Sequence, residues 1–409
     1  MKAKIKYIKN DPTLGIDYDY DAVRDLYKSL GCPKQYYNPC TAPIGKAAWL
    51  VEISTRATGK TTNWLLWGLC MYWLYGTVTQ YVRKQRDMIA PKNASGMFDV
   101  IIREGYIEKI TGGEFNNILY KAKKWYLAYT DEEGNIVRKD LRHCIYMMSL
   151  DDADQLKSSY NAPTGDIILY DEFIAANDEN RVRQKADEFV RFCDLAKTIF
   201  RDRVSGRLIL CANTIDKENQ YFHELEIYDR LSEMQQGDNC LHTTDKGTQI
   251  YIEIVGQPQV LKATKRLFNK FFLGFKNPRL GSITGETTWA VRNVQHIPEL
   301  DYKETVEILT HFYIYHNLKY IRLDLVKHST LGICVYCHWA TKCYPDSIIF
   351  SVEDQTDPRY IYGFNNDYKV VKLLMKLMKR HRFYFASNDV GSFLDTYFVA
   401  SGLTRGMIN

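Results

Sequence analysis

Two short stretches of the 409-residue chain carry residue types that could act on a phosphoanhydride. The first is Gly59-Lys60-Thr61, the end of a Walker A loop. In such a loop the backbone N–H groups at the start of the next helix surround a triphosphate, the Lys ammonium reaches the outer phosphates, and the Thr hydroxyl ligates Mg²⁺. Arg56, Ala57, Thr58, Gly59, Lys60, Thr61 and Thr62 are therefore the candidate ATP contacts, with Thr61 as a metal ligand. Ser54 stands where the standard pattern has its first Gly, and Ser tolerates a tight turn less easily. The second stretch is Asp171-Glu172, at the end of the apolar run Ile167-Ile-Leu-Tyr170. There Asp171 would complete the Mg²⁺ shell and Glu172 would polarise the attacking water. The pair follows the loop by about 110 residues with strands between, a combination far more specific than either half.

These groups need a scaffold that brings them to one edge. Trp49 to Ser54 suits a buried strand leading into the loop, and Trp64 to Tyr75 is apolar almost all round, as befits a helix packed behind it. That helix is too short and too interrupted by Asn63 and Gly68 to span a bilayer. Asp166 to Asp171 reads as a buried parallel strand delivering its carboxylates to the carboxyl edge, where doubly wound sheets bind ligands. A strand over Thr77 to Val82 ends in Arg83-Lys84, and Arg207 to Asn213 is another buried strand, whose Asn213, or Thr214 after it, could hydrogen-bond the water or the γ-phosphate of ATP and report hydrolysis, or simply end the strand in a loop. Lys124 to Tyr129, a turn at 131–135 and Ile136 onward form paired strands. Lys121, Lys123 and Lys124 fit a charged, protected edge better than a DNA contact. The domain closes near the strand Gln249 to Val255.

The composition is that of a folded protein, 45% hydrophobic and 25% charged, with 30 Tyr and a net charge of +5 that permits a polyanionic partner. The basic start, Met1-Lys2-Ala3-Lys4-Ile5-Lys6, precedes no apolar stretch, so a cytoplasmic protein is expected. Ten cysteines, from Cys32 to Cys343, fit free thiols in a chain this long. Cys334-Val-Tyr-Cys337-His338 spells a haem-attachment motif, with Cys343 near enough to suggest zinc. On a strand, however, the first two sulfurs would point to opposite faces. Residues 1 to about 45 read as a polar, Tyr-rich lead-in punctuated by loops, without specific chemistry of its own.

The set Arg56-Ala-Thr-Gly59-Lys60-Thr61, Arg83-Lys84, Leu156-Lys-Ser158, Tyr170-Asp171-Glu172-Phe173 and Cys211-Ala-Asn213-Thr214 resembles the large terminase ATPases that pump DNA into phage capsids. Chain length and the small carboxyl-terminal region are similar to the Picovirinae-type, phi-twenty-nine-like branch of genome-encapsidation motors. The resemblance implies an α/β fold: a P-loop NTPase domain of the additional-strand, RecA/FtsK-like kind over 1–256, a helical linker over 257–303, and a smaller RNase H-like α/β domain over 304–409. It implies ATP and Mg²⁺ as cofactors, Arg56 sensing the γ-phosphate within its own subunit, and Asn213 at a coupling motif. Arg201, ahead of Arg203, becomes a trans-acting arginine finger and so a catalytic residue beside Glu172, Lys60 and Arg56. The implied partners are double-stranded DNA, the capsid portal, a packaging RNA in some members, and copies of the chain in a ring, pentameric in that branch, with no membrane. The place of action would be the host cytoplasm, docked at the portal.

The last hundred or so residues alternate as strands at Tyr313, Ile321 to Leu325, Gly332 to Trp339 and Ser347 to Val352, then a helix and a strand at Arg382 to Ala386. Their carboxylates, Asp324, Glu353, Asp354, Asp389 and Asp395, do not form a nuclease signature, and Arg322 or Lys327 could pair with Asp324. A vestigial domain without cutting chemistry is expected. Lys369, Lys372, Lys376 and Lys379 share a helix face opposite Val371, Leu374, Met375 and Met378, either solvated or docked on a polyanion. Two further readings stay open: another P-loop translocase or helicase, and a non-hydrolysing portal-docking protein with a degenerate loop.

Overall fold

The computed structural model describes residues 3–54, 58–153, 155, 165–174, 188–213, 219–256, 262, 266, 306–316, 318–352, 358–364 and 368–403. The chain divides into two compact units. One comprises Met1–Ile174, Val190–Thr214 and Glu233–Thr288, and the other Ala175–Phe189, Ile215–Ser232 and Trp289–Asn409. The expected linker at 257–303 lies outside the described residues, apart from Lys262 and Arg266.

The first unit is built on a ten-stranded sheet. Its strands are β1 (Trp49–Ser54), β2 (Thr79–Arg83), β3 (Asn117–Lys121), β4 (Lys124–Thr130), β5 (Ile136–Lys139), β6 (Ile145–Ser149), β7 (Ile167–Asp171), β8 (Arg207–Asn213), β9 (Asn239–Thr243) and β10 (Gln249–Ile254). They run in the order β3-β4-β6-β2-β7-β8-β1-β10-β9, with β5 paired to β4. The centre, β6-β2-β7-β8-β1-β10, is entirely parallel. Buried on both faces, its strands carry the near-continuous apolar runs legible in the sequence. β8 lies between β1 and β7, so the two strands that carry the candidate chemistry are not neighbours but end at the same edge.

Helix α1 spans Tyr20–Ser29 and helix α2 spans Lys60–Tyr75. α2 is buried almost throughout, and its Trp64, Leu65 and Leu69 join one core with Leu50, Leu169, Ile209 and Tyr251 of the sheet. The opposite face is covered by the helix Glu188–Phe200, whose Phe192 ring lies 4.8 Å from Tyr170 and 6.0 Å from Trp49. A face on each side makes the sheet doubly wound. The amino-terminal segment departs from the lead-in expected of it. Val23 and Tyr27 of α1 and Tyr18 and Tyr37 around it are buried in the α2 core. Their hydroxyls supply the polarity that made the stretch look solvated: Tyr27 donates to Asn63 Oδ1 at 2.5 Å and Tyr18 to Asp166 Oδ2 at 2.8 Å.

The second unit has a six-stranded sheet of order β15-β14-β11-β12-β13-β16, where β11 is Val306–His316, β12 Lys319–His328, β13 Gly332–Ala340, β14 Ile349–Ser351, β15 Tyr360–Tyr362 and β16 Phe383–Phe385. β11, β12 and β13 form an antiparallel meander, with β14 parallel beside β11 and β16 parallel beside β13. Val371, Leu374 and Met378 of the helix Lys369–Lys379 and Phe393 and Tyr397 of the helix Asn388–Ala400 pack in one core with Phe312, Leu323 and Val335. Lys369, Lys372, Lys376 and Lys379 are exposed on the other side of their helix. Among the described residues no helix is long and apolar enough to cross a membrane.

Candidate nucleotide-binding site

β1 ends at Ser54, and α2 begins at Lys60 with Gly59 as its N-cap. Gly59 has φ +80°, the left-handed region that favours glycine, and an added Cβ would stand 3.1 Å from Asn63 and Tyr36. The turn therefore requires this Gly. Asn63 Nδ2 donates to the Gly59 carbonyl at 2.8 Å, pinning the turn to the first coil of the helix. Ser54, the departure from the Walker pattern, braces the loop from within. Its hydroxyl accepts from Lys60 Nζ and bonds Thr58 Oγ1 at 2.8 Å. Thr58 is also fixed by its carbonyl, which accepts from the Tyr37 amide at 2.8 Å. Lys60 is 6% exposed. Burial pushes its ammonium down, and nearby Cys211, Asp171 and Glu52 oppose that shift.

The Asp-Glu strand meets this helix start at the carboxyl edge. Thr61 Oγ1 donates to Asp171 Oδ1 at 3.0 Å, across 110 residues of chain. Two hard oxygens this close are the donor set that Mg²⁺ takes from protein, so the residues fit the expected ion. Asp171 Oδ2 accepts from Tyr81 at 2.8 Å and from Arg83 at 3.1 Å, while the other Arg83 nitrogen bonds Glu172 Oε2 at 2.5 Å. Arg83, a strand-end cation in the sequence, thus spans both candidate carboxylates. Glu172 has φ +54°, a conformation uncommon for residues other than Gly, and its side chain is 49% exposed. Asn213 is in register with Ser54, so it ends β8 beside the strand that enters the loop. Thr62 lies in the first turn of α2, and Arg56 and Ala57 lie outside the described residues.

The two candidate finger residues separate. Arg203 is engaged inside its own chain: Nε pairs with Asp166, and a terminal nitrogen reaches the Ile199 carbonyl at 2.7 Å and the Gly165 carbonyl at 3.3 Å. Arg201 is exposed, with φ +53°, just past the helix Glu188–Phe200.

Sequence reasoning passed over Glu52 and Glu253. They lie in register across β1 and β10 and are buried on the α2 face. A lone acid inside the run Trp-Leu-Val-Glu-Ile was the available signal.

Elsewhere, the expected charged edge holds only in part: Lys121 ends the edge strand β3 and Lys123 in the turn after it pairs with Asp152 Oδ2 at 3.1 Å, whereas Lys124 begins β4, which is paired on both sides by β3 and β6, and sits 5.6 Å from the centre of the Tyr146 ring. Asp324 is 1% exposed, paired with Arg322 at 2.7 Å and His338 at 3.1 Å. Of the two cations near it on β12, Arg322 is thus the one that takes up this carboxylate. Glu353 and Asp354 lie outside the described residues. Cys334 and Cys337 do point into different clusters on opposite sheet faces. Among the described residues no cluster of His, Cys, Asp and Glu could hold a metal by itself.

No protein-family model matches the sequence, and no curated protein matches it. Solved structures do. The chain is similar to "The Phi-28 gp11 DNA packaging Motor", with TM-score 0.56 and 18% identity over 91% of this chain and 100% of that one. It is also similar to "The bacteriophage Phi-29 viral genome packaging motor assembly", with TM-score 0.58 and 16% identity over 90% of this chain and 100% of that one. The chain therefore shares the fold of solved phage DNA-packaging motor proteins.

Proposed function

We propose that the chain is an ATPase that assembles as a homo-oligomeric ring at a capsid portal in the host cytoplasm and drives double-stranded viral DNA into the capsid. The observation that carries this reading is the 3.0 Å contact between Thr61 and Asp171, which joins the helix start after the Gly59 turn to the Asp-Glu strand. The likeness in fold to packaging motors supports it, as does a strand order that fits an additional-strand P-loop domain.

In this reading the N–H groups at the start of α2 and the Lys60 ammonium bind the phosphates, and Thr61 and Asp171 hold Mg²⁺. The ion supplies charge neutralisation at the transferred phosphoryl group. Glu172 accepts a proton from the attacking water, and Arg83 orients it beforehand through the 2.5 Å ion pair. Arg56 senses the γ-phosphate in its own subunit, and Asn213 relays the state of the site along β8.

Arg201 acts in trans. The helix Glu188–Phe200 carries the chain from the carboxyl edge of β7 to the amino edge of β8, so Arg201 emerges about 15 Å of strand away from its own loop. In this reading it meets the phosphates of another subunit there, which makes ring assembly a condition of fast turnover. The ring is read as a pentamer, DNA contacts as salt-sensitive phosphate contacts, and a packaging RNA as a further partner. The second unit is read as an RNase H-like domain that has lost its nuclease: Arg322 and His338 occupy Asp324, the meander carboxylate that a metal would need.

Binding of a fluorescent ATP analogue, titrated with and without Mg²⁺, tests the site. Lys60→Ala is expected to weaken binding by more than about tenfold, and Asp171→Asn to remove most of its Mg²⁺ dependence. Unchanged binding in Lys60→Ala would sink the reading.

A further inference from the structure

On the α2 face, four adjacent strands carry Asp171, Cys211, Glu52 and Glu253 in one row, each in register with the next. Neighbouring strands are about 4.8 Å apart, so the side chains of Glu52 and Glu253 stand side by side. Both are interior, at 0% and 5% exposure. The Tyr37 hydroxyl lies between them, 2.5 Å from Glu52 Oε1 and 3.5 Å from Glu253 Oε2. Trp64 Nε1 donates to the other Glu52 oxygen at 2.7 Å, and the Tyr251 hydroxyl donates to Glu253 at 3.0 Å.

The remaining titratable neighbours are Lys60 from α2, Cys211 from β8, Asp171 from β7, and Cys240 of β9, which acts on Tyr251. Burial and the adjacent carboxylates push the Tyr37 hydroxyl, the Tyr251 hydroxyl and the Cys211 thiol up, keeping all three neutral. Two carboxylates in one dry site cannot both ionise without a large cost. Burial, then the charge of Glu253, pushes Glu52 up to about 8, and burial pushes Glu253 up as well. The two ionisations belong to the pair.

The pair is wired to the loop. Tyr37, which touches both carboxylates with its hydroxyl, donates its amide to the Thr58 carbonyl at 2.8 Å, and the Lys60 charge acts on Glu52.

We propose that Glu52 and Glu253 share one proton at neutral pH, and that losing it to solvent weakens polyphosphate binding through Tyr37, Thr58 and Lys60. This rests on the nucleotide-site reading above. With the proton in place, the pair presents one negative charge beneath the loop. Without it, two anions hold Lys60 inward and repel an incoming polyphosphate. Glu52 and Glu253 are positioning residues here, since neither touches the ligand.

Two measurements on the full chain test this. Without nucleotide, the folded pair keeps its proton to about 8 while an unfolded Glu loses it near 4.5. The folded state binds more protons across that window, so wild-type stability falls as pH rises from about 4.5 to about 8, then levels. The double variant Glu52→Gln/Glu253→Gln, which leaves no titrating carboxylate in the pair, is expected to lose that slope in thermal unfolding. With a fluorescent ATP analogue and Mg²⁺, wild-type affinity is expected to fall by up to about tenfold per pH unit above about 8, and the double variant to remain flat. Tyr37→Phe keeps the pair and cuts the bridge, so the unfolding slope should stay while the affinity loss shrinks. An alkaline loss retained in the double variant assigns it to Lys60 and overturns the proposal, as does a flat wild-type profile in both measurements. A correct unfolding slope without ATP binding at any pH overturns the nucleotide reading and with it the coupling, while leaving the proton pair intact.

Discussion

Arg203 is 9% exposed and closes over Asp166, a carboxylate that also accepts from Tyr18 and Ser205, whereas Arg201 two residues earlier faces outward. The two arginines therefore separate by experiment. Arg203→Ala leaves a buried charge short of its cation and is expected to destabilise the protein by about 3 kcal/mol, seen as a lower thermal midpoint. Arg201→Ala should instead lose, by about 10³-fold, the hydrolysis gained on ring assembly. Local spacing could not make this distinction, because Asp166 precedes Arg203 by 37 residues and meets it only in the folded sheet. The meeting of Thr61 with Asp171 was legible because each lies in a short motif. The link from Arg83 to both carboxylates was not, because β2 and β7 are neighbours only through the strand order.

α2 shows how tightly the elements around the loop are fitted. Gly68 faces β2 so closely that an added Cβ would collide with the Thr79 side chain. Gly68→Ala is accordingly expected to cost about 1–3 kcal/mol despite the better helix propensity of Ala, as urea unfolding would show. The helix and the parallel strands were readable from unbroken apolar runs. α1 was not, since its buried Tyr27 is amphipathic and finds its partner, Asn63, on α2. β15 escaped because three residues, Tyr360–Tyr362, carry too little alternation to mark a strand. Glu52 was hidden for the opposite reason: one acid in an apolar strand reads as noise until β10 brings Glu253 beside it.

At the scale of the molecule, the strand order places β8 between β1 and β7 and brings the Gly59 turn, Asp171 and Asn213 to one edge, with Arg201 past the helix that returns to the other. In the proposed reading hydrolysis belongs to one edge of the sheet and its stimulation to a neighbouring copy, and the placement behind that reading follows from connectivity that no single stretch of sequence contains. The most direct measurement is the ATP hydrolysis rate of the purified chain, alone and with double-stranded DNA and empty capsids, for wild type and Glu172→Gln. DNA and capsids together should raise the wild-type rate. Glu172→Gln should lower it by about 10²–10⁴-fold while still binding ATP. A rate indifferent to both the partners and the substitution would contradict the assignment of Glu172 and the motor reading with it.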